Sequence, residues 1–272
     1  MPPVIKKIAA LIVMFVLLNV GFVWYGQASF DATFQSLAKA FTENNASITK
    51  RSEIPTPIRQ YLTKSNIQAK DYRTILIQLD GTYKRKPASK AIAMHALALL
   101  RATPDMLWAV RLDANPLITF NALETYHAAH STMQMLIFGI IPTGEYDSEP
   151  FARSELARIL AYGLFNPLLL ACDCITYEPE GEREIRATIH DGNLTASVTL
   201  VWDENGEIRN VYSDDRVRST NNGLQPSRWQ MRILEYGDVD GIRLPREVEE
   251  SWIVDGSAFV YARYTLTSAK RL

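Results

Sequence analysis

The sequence is poor in the residue types that most often indicate a particular chemistry. It has only two cysteines in 272 residues, so the chain is not a disulfide-rich scaffold. These residues, Cys172 and Cys174, are separated by one position, which predicts that they do not bond to each other, because so short a loop strains a disulfide. A Cys-x-Cys pair holds a metal only with further Cys or His ligands, and none lies at suitable spacing. We therefore expect neither a metal nor a cofactor.

Neither sign of charge dominates, and catalytic motifs are lacking. The 29 basic and 30 acidic residues leave no basic footprint for nucleic acid. His127 and His130 are too isolated for a metal site, and no Gly-x-Ser-x-Gly motif supports a serine hydrolase. Glu145, Asp147 and Glu149 are predicted to lie in a solvated loop. No catalytic or metal-binding residue is predicted, and an envelope enzyme is the third of three functions considered.

One long apolar run lies near the N-terminus, from Ile8 to Tyr25. A helix of about eighteen residues spans roughly 27 Å, close to the thickness of a hydrocarbon core. Lys6 and Lys7 precede the run and favour a cytoplasmic N-terminus, with the rest of the chain outside the cytoplasm. The alternative is a signal peptide cleaved near Ala28, which would give a secreted or periplasmic protein. The length of the run favours a single-pass anchor in the inner or plasma membrane.

The rest of the chain predicts a linker helix and one β-rich domain. Residues 1–29 form the anchor, and an apolar stripe in residues 30–50 predicts an amphipathic helix. Residues 51–272 contain strand-like runs separated by turn sequences such as Val239-Asp240-Gly241 and Val254-Asp255-Gly256. No alternation of strands and helices is present. We therefore predict a mainly β (α+β) fold, a curved antiparallel sheet forming a half-barrel or open barrel covered by a few helices.

Local patterns predict several elements of this domain. Pro57 can open a short helix over residues 57–63, since proline is tolerated in the first helical turn. Apolar spacing after Ser154 predicts a second helix, ended or kinked by Pro167. A strand over residues 75–79 is predicted to turn at Gly81. Residues 91–100 fit a helix by composition and a strand by alternation.

Several motifs resemble those of a bacterial family of uncharacterised β-rich domains. Residues 54–62 read I-P-T-P-I-R-Q-Y-L and resemble the L/I-P-x-P-V-R-x-Y-L opening motif of that family. Similar matches follow in order at residues 104–109, 154–161, 165–170, 214–218, 228–229 and 236–245. The chain departs from the pattern at Tyr162, Phe165 and Val217. The family has no activity to carry over, so the resemblance assigns no catalytic residue.

A looser resemblance concerns the C-terminal strands. The V-D-G turn at residues 239–241, with a long strand after it, is similar to the ending of periplasmic lipoprotein-carrier half-barrels. Those proteins hold acyl chains on a curved sheet plugged by helices. This resemblance implies an apolar or lipid-like ligand.

Aromatic and charged residues of the predicted strands are the candidate ligand contacts. Aromatic side chains either fill the core of a β-sheet or line an apolar cavity, and the sequence leaves both open. The candidates for the cavity or its rim are Trp108, Tyr126, Trp202, Trp229, Trp252, Tyr264, Arg59, Asp215 and Arg216. The leading function is binding of an apolar or lipid-like ligand near the membrane. The alternative is a scaffold or interaction domain with a filled core, whose protein partners the sequence does not identify.

Overall fold

The computed structural model describes residues 2–43, 53–67, 73–115 and 118–272. Its helices are α1 (Pro3–Glu43), α2 (Thr56–Lys64) and α3 (Glu149–Tyr162), and a 3-10 turn covers Pro167–Ala171. The strands are β1 (Thr74–Tyr83), β2 (Ile92–Arg101), β3 (Met106–Asn115), β4 (Ile118–His127), β5 (His130–Ile137), β6 (Ile141–Asp147), β7 (Ile175–Gly181), β8 (Glu184–Asp191), β9 (Leu194–Trp202), β10 (Ile208–Ser213), β11 (Val217–Thr220), β12 (Gly223–Pro226), β13 (Trp229–Val239), β14 (Ile242–Val254) and β15 (Ser257–Arg271).

The described strands form one large antiparallel sheet and one hairpin. The sheet has the order β6-β5-β4-β3-β2-β1-β15-β14-β13-β10-β9-β8-β7, and β11 pairs only with β12. Pairing of β1 with β15 joins the first strand to the last. Because β6 and β7 do not pair with each other, the sheet stays open. The predicted fold class, an open antiparallel half-barrel with a few helices, is confirmed.

The two faces of the sheet carry different helices. The inner face carries Trp108 and Trp229, and α3 packs against it across β9, β8, β5 and β4. The outer face of β2 to β5 carries Leu107, Ala109 and Leu136, which pack with α1. Neighbouring residues of β3 are therefore buried on opposite sides, because side chains alternate along a strand.

Helix α1 is continuous over the predicted anchor and the first part of the predicted linker. Its C-terminal half lies on the outer face, where Phe30 and Phe34 are buried. Its N-terminal half is exposed, and by length and composition α1 can cross a membrane. Residues 44–50 of the predicted linker lie outside the described residues, and the predicted boundary after residue 29 stays a prediction.

The tight turns follow the predicted chemistry in most places. Asp240-Gly241 and Asp255-Gly256 have positive φ at both residues, as expected for two-residue hairpin turns. The turn between β4 and β5 uses Ala128 and Ala129 in the same conformation. A left-handed conformation costs a residue with a Cβ about 1 to 2 kcal/mol, so no local sequence signal predicts this turn.

Several local predictions are confirmed and others are wrong. The short helix predicted at Pro57 is present as α2. Residues 92–101, where the sequence left helix and strand open, form strand β2. Gly81 lies inside β1 rather than in a turn. Glycine is needed there because a Cβ would lie 2.1 Å from the carbonyl oxygen of Arg263 on β15. Helix α3 starts five residues earlier than Ser154, with its first turn capped by the hydroxyl of Ser148. Glu145 and Asp147 belong to β6 rather than to a loop, since residues 141–147 pair with β5.

The prediction for the two cysteines is also wrong. Cys172 and Cys174 form a disulfide, with their Cα atoms 5.1 Å apart. That separation is within the usual range for disulfides. Cys172 ends the 3-10 turn in an extended conformation, which brings the two side chains together across Asp173.

Candidate functional site

A cluster of buried charged residues lies between α3 and the inner face of the sheet. It consists of Glu124 on β4, Glu155 and Arg158 on α3, and Arg216 just before β11, and we call it the ionic cluster. Arg158 pairs with Glu124 and, through Nε at 2.6 Å, with Glu155 Oε2. Arg216 Nη1 lies 2.8 Å from Glu155 Oε1. Glu155 therefore joins the two guanidinium groups.

The local structure explains how these residues come together. Glu155 and Arg158 are three positions apart on α3, so their side chains lie on the same side of the helix. Arg216 Nη1 donates to the carbonyl oxygen of Ser154 at 2.8 Å. The backbone N–H of Val217 donates to the Ser154 hydroxyl at 3.1 Å. These two bonds hold the segment after β10 against α3 and direct Arg216 into the cluster.

The electrostatics of the two glutamates differ. Burial raises the pKa of Glu124 to about 8, and the nearby Glu155 adds to this effect although Arg158 opposes it. Burial also acts on Glu155, but Arg158 and Arg216 outweigh it and lower the pKa of that carboxyl. At neutral pH the cluster therefore holds a protonated Glu124 that donates to an ionised Glu155.

A second polar group adjoins the ionic cluster, centred on the carboxyl group of Glu250 on β14. Tyr162 and Tyr264 donate to its Oε1 at 2.7 and 2.6 Å, and Tyr261 donates to its Oε2. Trp229 Nε1 donates in turn to the Tyr261 hydroxyl at 3.0 Å. Burial, followed by the nearby Glu250, raises the pKa of all three tyrosines, which therefore stay protonated as donors.

Most of the predicted aromatic residues surround these two groups. The guanidinium carbon of Arg158 lies 5.1 Å from the ring centre of Trp108. That of Arg216 lies 5.5 Å from Trp229 and 5.8 Å from Trp252. At these distances the aromatic faces stabilise the cations. Five of the nine predicted residues, Trp108, Trp229, Trp252, Tyr264 and Arg216, thus meet in one place.

The other four predicted residues lie elsewhere. Tyr126 is fully buried near the C-terminal end of β4, and Trp202 is partly buried at the C-terminal end of β9. Asp215 accepts from the backbone N–H of Ser197 at 2.7 Å. Arg59 is exposed on α2 and lines a surface depression of about 630 Å³.

The sequence analysis missed the acidic members of the site. Glu124 and Glu250 were not singled out, and Glu155 and Arg158 were noted only as part of a family motif. One signal was available for Glu124: it is the single charged residue in the strand sequence I-T-F-N-A-L-E-T-Y-H. Within the described residues, no group of three or more His, Cys, Asp or Glu side chains is placed to hold a metal ion.

An incompletely covered apolar row crosses the inner face some distance from the ionic cluster. Leu112, Phe120, Ile137 and Ile141 pair in register across β3, β4, β5 and β6, and we call them the apolar rim. Phe120 is 40% exposed and Ile141 is 44% exposed. Phe120 and Glu124 are four positions apart on β4, a distance of about 13 Å along the strand. The inner face is thus apolar and open at one end of β4 and polar and closed further along it.

Comparison with known proteins gives one family and several similar structures. Residues 44–264 match the family described as a family of unknown function (DUF6544), which confirms the resemblance to an uncharacterised family. No curated protein matches the chain.

Three solved structures are similar to the chain over most of its length. A DUF1329 family protein from Desulfovibrio piger has 10% identity and a TM-score of 0.47 over 79% of this chain and 91% of that chain. A putative outer membrane lipoprotein-sorting protein domain from Vibrio parahaemolyticus has 9% identity and a TM-score of 0.42 over 79% and 90%. A LolA superfamily protein from Nitrosomonas europaea has 8% identity and a TM-score of 0.36 over 79% and 93%.

Proposed function

The chain belongs to the DUF6544 family of unknown function, and we propose from its own geometry that the half-barrel binds a lipid-like amphiphile on its inner face, next to the membrane. The hydrocarbon part of the ligand lies on the apolar rim and points toward the ionic cluster. The observation that carries this proposal is the exposed apolar surface of Phe120 and Ile141 on the concave side of the sheet.

Covering the rim would be favourable. Complete burial of a large apolar side chain contributes roughly 1.5 to 3 kcal/mol, so covering the exposed fractions of Phe120 and Ile141 contributes about 1 kcal/mol each. Leu112 is partly buried and packs against the main core, so the rim is continuous with the interior. A ligand on the rim would therefore extend the core rather than occupy an isolated surface patch.

The position of α1 supports a ligand that comes from the membrane. Gln27 of α1 donates to Thr119 at 2.8 Å and to Asn121 at 3.1 Å, on the outer face of β4 beside Phe120. The exposed, apolar part of α1 ends directly before these contacts in the chain. A lipid leaving the bilayer would thus reach the rim over a short path.

The ionic cluster limits how far a ligand can extend along the inner face. Its arginines are already paired with glutamates and flanked by aromatic rings, so they offer no free cation to an anionic head group. Because buried charges are costly to separate from their partners, the cluster stays closed when a ligand binds. The apolar surface available to the ligand is then the roughly 13 Å between Phe120 and Glu124.

A specific observation favours the alternative, an interaction domain with a filled core. Helix α3 and the 3-10 turn after it occupy the deep part of the half-barrel, where Leu160, Leu164 and Phe165 have no exposed surface. In that case the rim would receive an apolar segment of a partner protein. A lipid-binding protein would be purified with bound lipid and an interaction domain would not, so measuring bound lipid distinguishes the two functions.

The experiment is native mass spectrometry of the full chain, released gently from membranes, together with fluorescence titration using a labelled fatty acid. Phe120→Asp places a charge on the rim, and we expect it to weaken fatty acid binding at least tenfold. Thr195→Asp introduces the same charge at an exposed position on β9 and should bind as the wild type does. A bare protein mass with no fatty acid uptake would refute lipid binding and favour the interaction domain.

A further inference from the structure

The contacts of α1 fix where the membrane lies relative to the half-barrel. Burial of α1 against the sheet starts at Gly26 and continues through Phe34. Residues 4–23 precede these contacts, and at 1.5 Å per residue they measure about 30 Å, the thickness of a hydrocarbon core. The apolar span therefore ends within about one helical turn of the first contact with the domain.

One turn of the sheet reaches the depth of that span. Phe138, in the connection between β5 and β6, contacts the ring of Phe22 edge-on with centroids 5.7 Å apart. A Cβ on Gly26 would lie 1.9 Å from the carbonyl oxygen of Phe138, so only glycine permits this approach. Because Phe22 belongs to the apolar span, Phe138 lies at the level where the helix enters the bilayer.

Other apolar side chains are exposed at the same end of the strands. β3 and β5 end, and β4 and β6 begin, at this end, because consecutive antiparallel strands alternate in direction. Ile118 begins β4 there and is 38% exposed, and the exposed Phe120 and Ile141 lie within two residues of the strand ends. Apolar surface so close to a membrane span is well placed for contact with lipid.

The β1–β2 connection, four strands from β5 in the sheet order, carries positive charge. Residues 84–90 read K-R-K-P-A-S-K, and Arg85, Lys86 and Lys90 are exposed while Lys84 is partly buried. Within the described part of the chain these four residues form no salt bridge. Basic residues beside a membrane are attracted to anionic lipid head groups, with an effect of about fivefold on binding per residue.

We infer that this end of the half-barrel docks on the anionic surface of the bilayer that α1 crosses. Phe138 and Ile118 enter the interface, and the β1–β2 connection binds lipid phosphates. Apolar side chains beside basic residues are the usual composition of an interfacial contact. This docking does not depend on a ligand in the half-barrel, and it would hold the apolar rim open toward the membrane.

The test uses the full chain with Trp24→Phe, reconstituted in vesicles that contain bromine-labelled lipid, which quenches nearby tryptophan. Ile118→Trp places a reporter at the docking end, and His127→Trp places one at the exposed opposite end of β4. We expect strong additional quenching for position 118 and none for position 127. Equal and weak quenching at both positions would overturn the inference and leave this end free for a protein partner.

A second variant tests the charge. Replacing Lys84, Arg85, Lys86 and Lys90 by glutamine should reduce the quenching at position 118 in phosphatidylglycerol vesicles to the level found in pure phosphatidylcholine. The matched control replaces four exposed basic residues outside this end: Arg153, Arg183, Arg186 and Arg246. If quenching at position 118 is the same in both lipids and in all variants, the basic connection does not bind head groups and that part of the inference is wrong.

Discussion

The raised pKa of Glu124 should make the domain less stable as the pH rises from about 5 to about 8. The carboxyl is completely buried, and its pKa of about 8 compares with an ordinary value of 4.5. Between these values the folded chain binds one more proton at this site than the unfolded chain does. The free energy of unfolding therefore falls with rising pH, with a limiting slope of about 1.4 kcal/mol per pH unit.

The perturbation is Glu124→Gln, which removes this titration and keeps the shape. The glutamine amide can still donate to Glu155 and accept from Arg158, as the protonated acid does. The lowered pKa of Glu155 does not offset the effect, because its contribution is already complete above about pH 5. From pH 5.5 to pH 8 we expect the wild type to lose about 3 kcal/mol relative to the variant.

The assay is urea unfolding of the full chain in detergent micelles, followed by tryptophan fluorescence at several pH values. The buried Trp108 and Trp229 report loss of the inner face. Other titrating groups, including the histidines, cancel in the difference between the two proteins. A difference that stays constant within about 0.5 kcal/mol over this range would mean that Glu124 is ionised throughout, and the reasoning about the cluster would be wrong.

Three further predictions concern other parts of the fold. Arg158→Met should lower the free energy of unfolding in urea by about 3 to 5 kcal/mol, because it leaves buried carboxyl groups unpaired. The control Arg186→Met, in an exposed ion pair, should lower it by less than about 1 kcal/mol. Equal effects of the two substitutions would contradict the burial argument. Phe34→Ala should cost about 3 kcal/mol in thermal unfolding by releasing α1 from the outer face, and an unchanged melting temperature would count against that packing. Protein purified without reductant should show no free thiol by alkylation and mass spectrometry, and two alkylated thiols would exclude the disulfide. Reduction of Cys172–Cys174 should lower the free energy of unfolding by less than about 2 kcal/mol, since the bond closes a very short loop.

Motifs with a local physical cause were predicted well. Asp-Gly turns at residues 240–241 and 255–256 need positive φ, which glycine permits, and they mark the hairpins they were expected to mark. Pro57 lies in the first turn of α2, where its fixed φ suits the helix. The open antiparallel sheet followed from such signals together, without any single decisive residue.

Features that depend on a close approach between distant segments were missed. Gly81 reads as a turn in sequence but is required because the β15 backbone lies against β1. The alanine turn at residues 128–129 has no local signal, and its backbone is held by a bond from the Ala129 N–H to Asp191 at 2.7 Å. In both places a contact from another part of the chain decides the conformation.

Local sequence patterns were enough to predict the apolar N-terminal segment, the antiparallel class of the sheet and the aromatic residues on its strands, because hydrophobic periodicity and turn chemistry act over a few neighbouring residues. The meeting of Glu124, Glu155, Arg158 and Arg216 in one cluster depends on the folded arrangement of distant segments. These residues come from β4, α3 and the segment before β11, and each alone looks like an ordinary surface charge. Their pairing and the raised pKa of Glu124 exist because α3 is enclosed by the curved sheet, where burial strengthens every interaction among them.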